Sequence, residues 1–175
     1  MVIPSRESSN LFPSCFLLQV DLSVRQLDQL LPFLLACAVA TDVSASSALA
    51  AVHALGCVLY ANSERSSKWY DAVSEALAPL ATGTSRFKLG SDGAALAQAA
   101  LVCLGNLAAK AGPRWHAQHA AMLPLVIEVI AGARTPPLRY AHCSDDAMAR
   151  LLSSALRLLL CLVQAAAPAI LEQVS

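Results

Sequence analysis

A few groups of residues in this chain have the types and spacing to support chemistry. His116 and His119 stand three positions apart, so one face of a helix could carry both, and His142-Cys143 is a second nitrogen–sulfur pair. Imidazole and thiolate are the usual ligands of Zn²⁺, and these residues would make a site if their loops met. Nothing in the spacing requires that meeting. Surface or hydrogen-bonded histidines are the plainer expectation, so no metal and no cofactor is expected. Lys110, Arg114, Trp115 and His116 form a basic-aromatic cluster, but no basic run follows it, and phosphate backbones are held by stripes of cations. Asp145 and Asp146 are adjacent, about 100° apart around a helix, and cannot face each other as acid and base. Cys103 lies inside an apolar stretch, where a thiol is inert. The chain has no Gly-x-Ser-x-Gly, no Gly-rich phosphate loop and no His-Glu-x-x-His. No enzymatic activity is expected.

Whatever these residues do, a scaffold must hold them, and composition restricts its kind. The 175 residues suffice for one domain with a sizeable core. Apolar residues make up 57% and charged residues only 14%, while aromatics are 5%. Ala and Leu therefore carry the apolar content, and few runs alternate at period two, which favours an all-α fold. Twelve Lys+Arg balance twelve Asp+Glu. Zero net charge argues against a nucleic-acid partner, and with a mean hydropathy of +0.56 it implies faces that other protein covers. The six cysteines are dispersed with no Cys-x-x-Cys. They read as reduced thiols of an intracellular chain, cytoplasmic or nuclear. No stretch reads as a membrane span: Leu30 to Ala40 is too short, and Gln98 and Asn106 interrupt 94–109.

The expected organisation is an irregular leader over 1–20, without a signal peptide, followed by one helical domain over 21–175. Asp21 or Ser23 can cap a helix to about Val39 that Pro32 kinks, and Ser44 can cap another to Tyr60. Asn62 to Ser66 reads as a solvated loop. Ser66 or Ser67 opens a helix to about Leu80, with Trp69, Val73 and Leu77 at steps of four. A flexible loop over Thr82 to Gly93 precedes a helix capped by Asp92 and ending near Ala109. Pro113 suits the first turn of the next helix, to about Ala131. After a loop over Gly132 to Cys143, Ser144 with Asp145-Asp146 starts a last helix to about Ala166, punctuated by Pro168.

Two segments repeat one plan. AVHALGCVLYANSERSSKWYDAVSEALAPL and ALVCLGNLAAKAGPRWHAQHAAMLPLV each run from an apolar Leu-Gly helix through a polar loop to a second helix with Pro-Leu near its end. Leu55-Gly56 matches Leu104-Gly105 at a spacing of about fifty positions, and ALRLLLCLVQAAAPAILEQV is a weaker third copy. Units of that size bury their apolar faces by stacking. Gly56 and Gly105 would allow that stacking to be close.

Leu-Gly-Asn-Leu-Ala at 104–108, with Gly-Pro-Arg-Trp and Leu-Pro-Leu-Val after it, resembles an armadillo/HEAT-type helical repeat. The resemblance implies a right-handed α-solenoid of about three units, part of a longer scaffold. It implies a non-enzymatic protein–protein interaction role, with a concave groove lined by the helices at 45–60, 94–109 and 145–166. Asn106, Lys110, Trp115 and His53 are the candidate partner-binding residues. In peptide-binding armadillo proteins an Asn at the place of Asn106 grips the backbone of an extended ligand, with a Trp one turn earlier. Here Val102 stands at the Trp place and Cys57 at the preceding unit's Asn place, so that ladder is interrupted. A polar residue bridging within the stack is the plainer reading of Asn106. Trp69 and Trp115 occupy matching positions, where packing is the default role and a partner anchor the alternative. The competing expectation for the whole chain is a capping or spacer segment with no ligand of its own.

Overall fold

The computed structural model describes residues 21–83, 91–111, 116–134 and 143–174, with side chains given except at Ser91, 116–119, 133–134 and 166–174. Six α-helices, and no strand among the described residues, make the chain all-α. They are α1 (Val24–Val39), α2 (Ala45–Ala61), α3 (Tyr70–Ala81), α4 (Ser91–Ala111), α5 (His116–Arg134) and α6 (Asp145–Val174), with a 3₁₀ turn at Ser67–Trp69 leading into α3.

Short polar side chains start these helices by accepting the N–H groups that a first turn leaves unbonded. Ser23 Oγ accepts the Gln26 N–H at 3.3 Å, and Gln26 Oε1 accepts the Ser23 N–H at 2.9 Å, a reciprocal capping box. Ser44 Oγ accepts the Ser47 N–H at 3.1 Å, and Ser144 Oγ accepts the Ala147 N–H at 3.2 Å. Asp145 and Asp146 then lie at the positive end of α6. At the end of α3, Gly83 adopts φ 66° and its N–H reaches the Leu80 carbonyl, a conformation that only glycine takes without strain.

The helices lie in two rows. α2, α4 and α6 form one, with extensive contact between α2 and α4 and more still between α4 and α6. α1, α3 and α5 form the other and touch one another sparingly, while α1 packs on α2, α3 on α4 and α5 on α6. α4 is thus enclosed by α2, α3 and α6. Its Leu96, Ala97, Ala100, Leu101, Leu104 and Ala108 are buried, joined in one core by Leu27, Leu55, Leu77 and Leu158. Asp92–Ala111 is long and apolar enough to cross a membrane, with a hydropathy of 1.4 and 61% of the segment buried. Packing on three sides accounts for that composition.

The glycines mark the contacts of this row. A Cβ on Gly56 would lie 3.6 Å from Cys103 Sγ, and one on Gly105 would lie 3.7 Å from the Leu158 Cα. Both are ordinary van der Waals distances. A methyl group therefore fits at either position, and the approach does not demand glycine; a larger branched side chain would press on Cys103 of α4 from Gly56 or on Leu158 of α6 from Gly105.

Several local expectations are revised. α4 begins at Ser91, so Asp92 sits in its first turn and does not cap it. Ser66 makes no capping bond; its hydroxyl donates to the Asn62 carbonyl at 2.8 Å. Asn62 and Ser66 are buried at 5% and 0% exposure, so the turn between α2 and α3 is a bonded corner at its two ends, while Glu64 and Arg65 between them are exposed as expected. α6 continues through position 168 to Val174. Pro32, Pro79 and Pro124 lie inside α1, α3 and α5, as their expected spans required. A proline removes one donor, and lateral packing keeps the helix going past it. The leader over 1–20 and Pro113 lie outside the described residues.

Candidate interaction surface

The open side of α4 is set by the three neighbours that cover the rest of it. At about 100° per residue, Ala95, Gln98, Val102, Asn106 and Ala109 fall on one stripe, and all are half-buried or exposed. On α2 the corresponding stripe is Ala50, His53, Cys57 and Tyr60. The two stripes meet at their C-terminal ends, where the Lys110 ammonium lies 4.4 Å from the centre of the Tyr60 ring. Tyr60 is 52% exposed, so the ring still offers an edge and part of a face to a visitor. On α6, Leu151, Ala155, Leu158 and Leu162 are buried, and Leu158 lies against Gly105 of α4. Helical phase then turns Arg157 and Cys161 toward the same open side as Asn106.

Of the candidate residues, the structure brings Asn106 and Lys110 onto one stripe and puts Lys110 on Tyr60. His53 lies two turns before Tyr60 on α2 and is exposed. Trp115 lies outside the described residues, as do Arg114, His142 and the side chains of His116 and His119. Among the described residues no three His, Cys, Asp or Glu side chains converge as a metal site would. Tyr60 was missed by sequence reading, because a tyrosine at the end of an apolar helix gives no sign that a lysine fifty positions on will cover it.

Trp69 has a different place. It is half-buried at the start of α3, where its Nε1–H donates to Asp28 Oδ1 at 3.2 Å, and Lys68 Nζ lies 2.7 Å from the same carboxylate. These bonds tie α1 to the start of α3. The Lys68 hydrogen bond, helped by Trp69, holds the Asp28 carboxyl below its ordinary 3.8 despite the opposing effect of desolvation. A carboxylate whose pKa is depressed on folding stabilises the fold above the unfolded value and loses that contribution as pH falls through the folded one. Acidification from about pH 6 through that range is expected to change tryptophan emission as the acceptor of Trp69 loses its negative charge and Lys68 its counter-ion, with a midpoint below 3.8. Asp28→Asn should remove the transition; an identical titration in the variant would refute the assignment.

Cys103 is buried at 2% exposure between α4 and α2, and burial, with Cys57 nearby adding to it, pushes its pKa up to about 12. The thiolate that would attack an electrophile is thus suppressed. Cys37, Cys57, Cys103, Cys143 and Cys161 are all thiols. Under native conditions an alkylating reagent should spare Cys103 while labelling the partly exposed Cys37, and denaturant should release it. Equal labelling of both in the folded chain, read by peptide mass, would contradict this packing.

A second surface is apolar. Leu156, Leu160 and Val163, at 49%, 55% and 56% exposure, lie on the side of α6 turned away from α4. Leu123 and Ile127 of α5 are also exposed, at 41% and 56%. Comparison with protein-family models, curated proteins and solved structures finds no match to this chain.

Proposed function

We propose that the chain is a right-handed α-solenoid of about three helical pairs, of armadillo/HEAT type, acting as a non-enzymatic protein-interaction scaffold. The observation that carries this reading is the pairing pattern: α1 with α2, α3 with α4, α5 with α6, each even helix then packing on the next even one. The even row is packed far more closely than the odd row, and the closer row of a curved stack lies on its inside. The concave side is then the stripe bearing His53, Tyr60, Asn106, Lys110 and Arg157. Gln98 and Asn106 add side-chain amides, which can both donate to and accept from the backbone of an extended segment.

The test uses the whole chain as bait, with Asn106→Ala and Tyr60→Ala on the inner stripe and Glu75→Lys on exposed α3 as the control. Loss of one specific partner in the inner-stripe variants, with retention in the control, supports the scaffold. Retention in the inner-stripe variants with loss in the control moves the interaction to the odd row and refutes the groove.

A second reading is favoured by the apolar side of α6: a spacer segment whose Leu156, Leu160 and Val163 are covered by further helices, with no ligand of its own. Half-exposed aliphatic stripes at helical spacing are what such a layer would bury. Leu160→Glu combined with Ile127→Glu should then make the isolated chain more soluble and less prone to associate in light scattering. Unchanged association would remove support for that cover.

A further inference from the structure

The last pair of helices carries aliphatic side chains that the core does not use. On α6, Ala149, Ser153, Leu156, Leu160 and Val163 are all exposed and recur at alternating steps of four and three. On α5, Ala120, Leu123, Ile127 and Ile130 recur at steps of three and four, the first three exposed and Ile130 half-buried. An average step of 3.5 keeps such residues on one side of a helix, and it is the spacing of the seam between paired helices. Leu158 lies against Gly105 of α4, and Leu156, Leu160 and Val163 stand about 140–200° around α6 from it. The α6 stripe therefore points away from the even row. Among the described residues α6 packs on α4 and α5, and α5 on α6 and α3, and these contacts leave both stripes open.

We propose that a second copy of this chain covers the two stripes, the α5–α6 pair of one copy meeting that of the other across a two-fold axis as a four-helix layer. This goes beyond the scaffold reading and does not involve the inner stripe of Asn106 and Lys110. Area, charge and solubility each select a second copy. Leu123, Ile127, Leu156, Leu160 and Val163, at 41–56% exposure, leave roughly 450 Å² of aliphatic surface open. Each partner of a stable dimer buries about 800 Å², of which about 65% is apolar, so these five side chains supply most of the apolar share. A two-fold axis lays a face against itself, which would set like charge against like; none of the residues in the stripes is charged. Glu128 and Arg157 follow Ile127 and Leu156 in the sequence and stand about 100° around their helices, at the rim, where interfaces stay polar. Twelve Lys+Arg against twelve Asp+Glu leave two copies with no net repulsion to overcome.

The test is sedimentation equilibrium of the full chain from about 1 to 100 μM, the range in which a moderate interface of this size dissociates. The mass should rise reversibly from 18.3 kDa to twice that value and no further. Leu160→Glu should raise the dissociation constant at least about a hundredfold, because the two-fold axis enters the substitution twice and each copy places a carboxylate in an apolar seam. Ile127→Glu alone should raise it at least about tenfold, which tests whether the α5 stripe shares the interface. Asn106→Ala on the inner stripe and Phe33→Glu on exposed α1 should leave it unchanged. Circular dichroism melting checks that each variant is folded, and the uncharged Leu160→Gln should weaken the dimer in the same direction if the glutamate disturbs the fold. A monomer at every concentration would hand the face to a different protein or a membrane and overturn the proposal. Mass that grows beyond two copies would overturn the two-fold arrangement. A dimer indifferent to Leu160→Glu and Ile127→Glu, or one lost in Phe33→Glu or Asn106→Ala, would place the interface elsewhere and overturn it too.

Discussion

Gly105→Leu lowers the melting temperature of the chain by about 6–12 °C, whereas Gly105→Ala leaves it unchanged or raises it slightly. The contrast follows from one distance. A Cβ at Gly105 would sit 3.7 Å from the Leu158 Cα, contact that a methyl group makes without displacement. Alanine also removes the roughly 1 kcal/mol cost of glycine in a helix interior. Leucine adds a branched group that must enter the space of α6, in the most extensive helix contact of the molecule. Overpacking of that kind costs about 3 kcal/mol, and each kcal/mol shifts a chain of this size by about 2–4 °C. Leu158→Ala alone should cost about as much, because Leu158 is wholly buried and its loss leaves a cavity. Combining the two should cost less than their sum, since the alanine vacates room beside the new leucine. Strict additivity in thermal melts would mean that positions 105 and 158 are not neighbours.

Asn62→Leu is the second large effect, about 2–3 kcal/mol or roughly 4–12 °C. Asn62 is buried at 5% exposure in the turn after α2, and its side chain uses both ends. Oδ1 accepts the Leu22 N–H at 2.9 Å, forty positions away, and Nδ2 donates to the Val58 carbonyl at 3.0 Å. The Asn62 backbone carbonyl takes both the N–H and the hydroxyl of Ser66, and the Tyr70 hydroxyl donates to the Ser63 carbonyl at 2.8 Å. Outside this knot Arg65 bonds Asp21 and the Leu22 carbonyl. Leucine is close to asparagine in size but leaves the half-buried Leu22 N–H without its acceptor and the Val58 carbonyl without the amide donor, and polar groups orphaned away from water cost more than the bonds were worth. Amide exchange at Leu22 should accelerate in Asn62→Leu. Unaltered exchange at that site with an unaltered melt would remove Asn62 from the role of tie between α1 and the α2–α3 corner.

That corner shows where reading along the chain stops being informative. Ser23, Ser44 and Ser144 announced their helices correctly because a cap is decided within three residues. Asn62 and Ser66 sit among Ser, Glu and Arg and look like a solvated turn; their burial is decided by Leu22, which no local window includes. Pro168 misleads in the opposite way: on local grounds it ends a helix, yet α6 continues past it, as α1, α3 and α5 continue past Pro32, Pro79 and Pro124. The all-α class was legible from composition and spacing, whereas the especially close approach expected at Gly56 and Gly105 is ordinary contact that an alanine would also make. The Tyr60–Lys110 pair and the Trp69–Asp28–Lys68 tie were not legible, because each joins helices whose relative placement is set by the whole core.

The unequal packing of the two rows has a mechanical corollary. Bending that parts α1, α3 and α5 disturbs few contacts, while sliding α4 against α2 or α6 would disrupt the buried leucines that hold the molecule together. The even helices therefore behave as the spine of a book and the odd helices as its page edges. Thermal motion that fans the edges would leave the spacing of α2, α4 and α6 nearly constant.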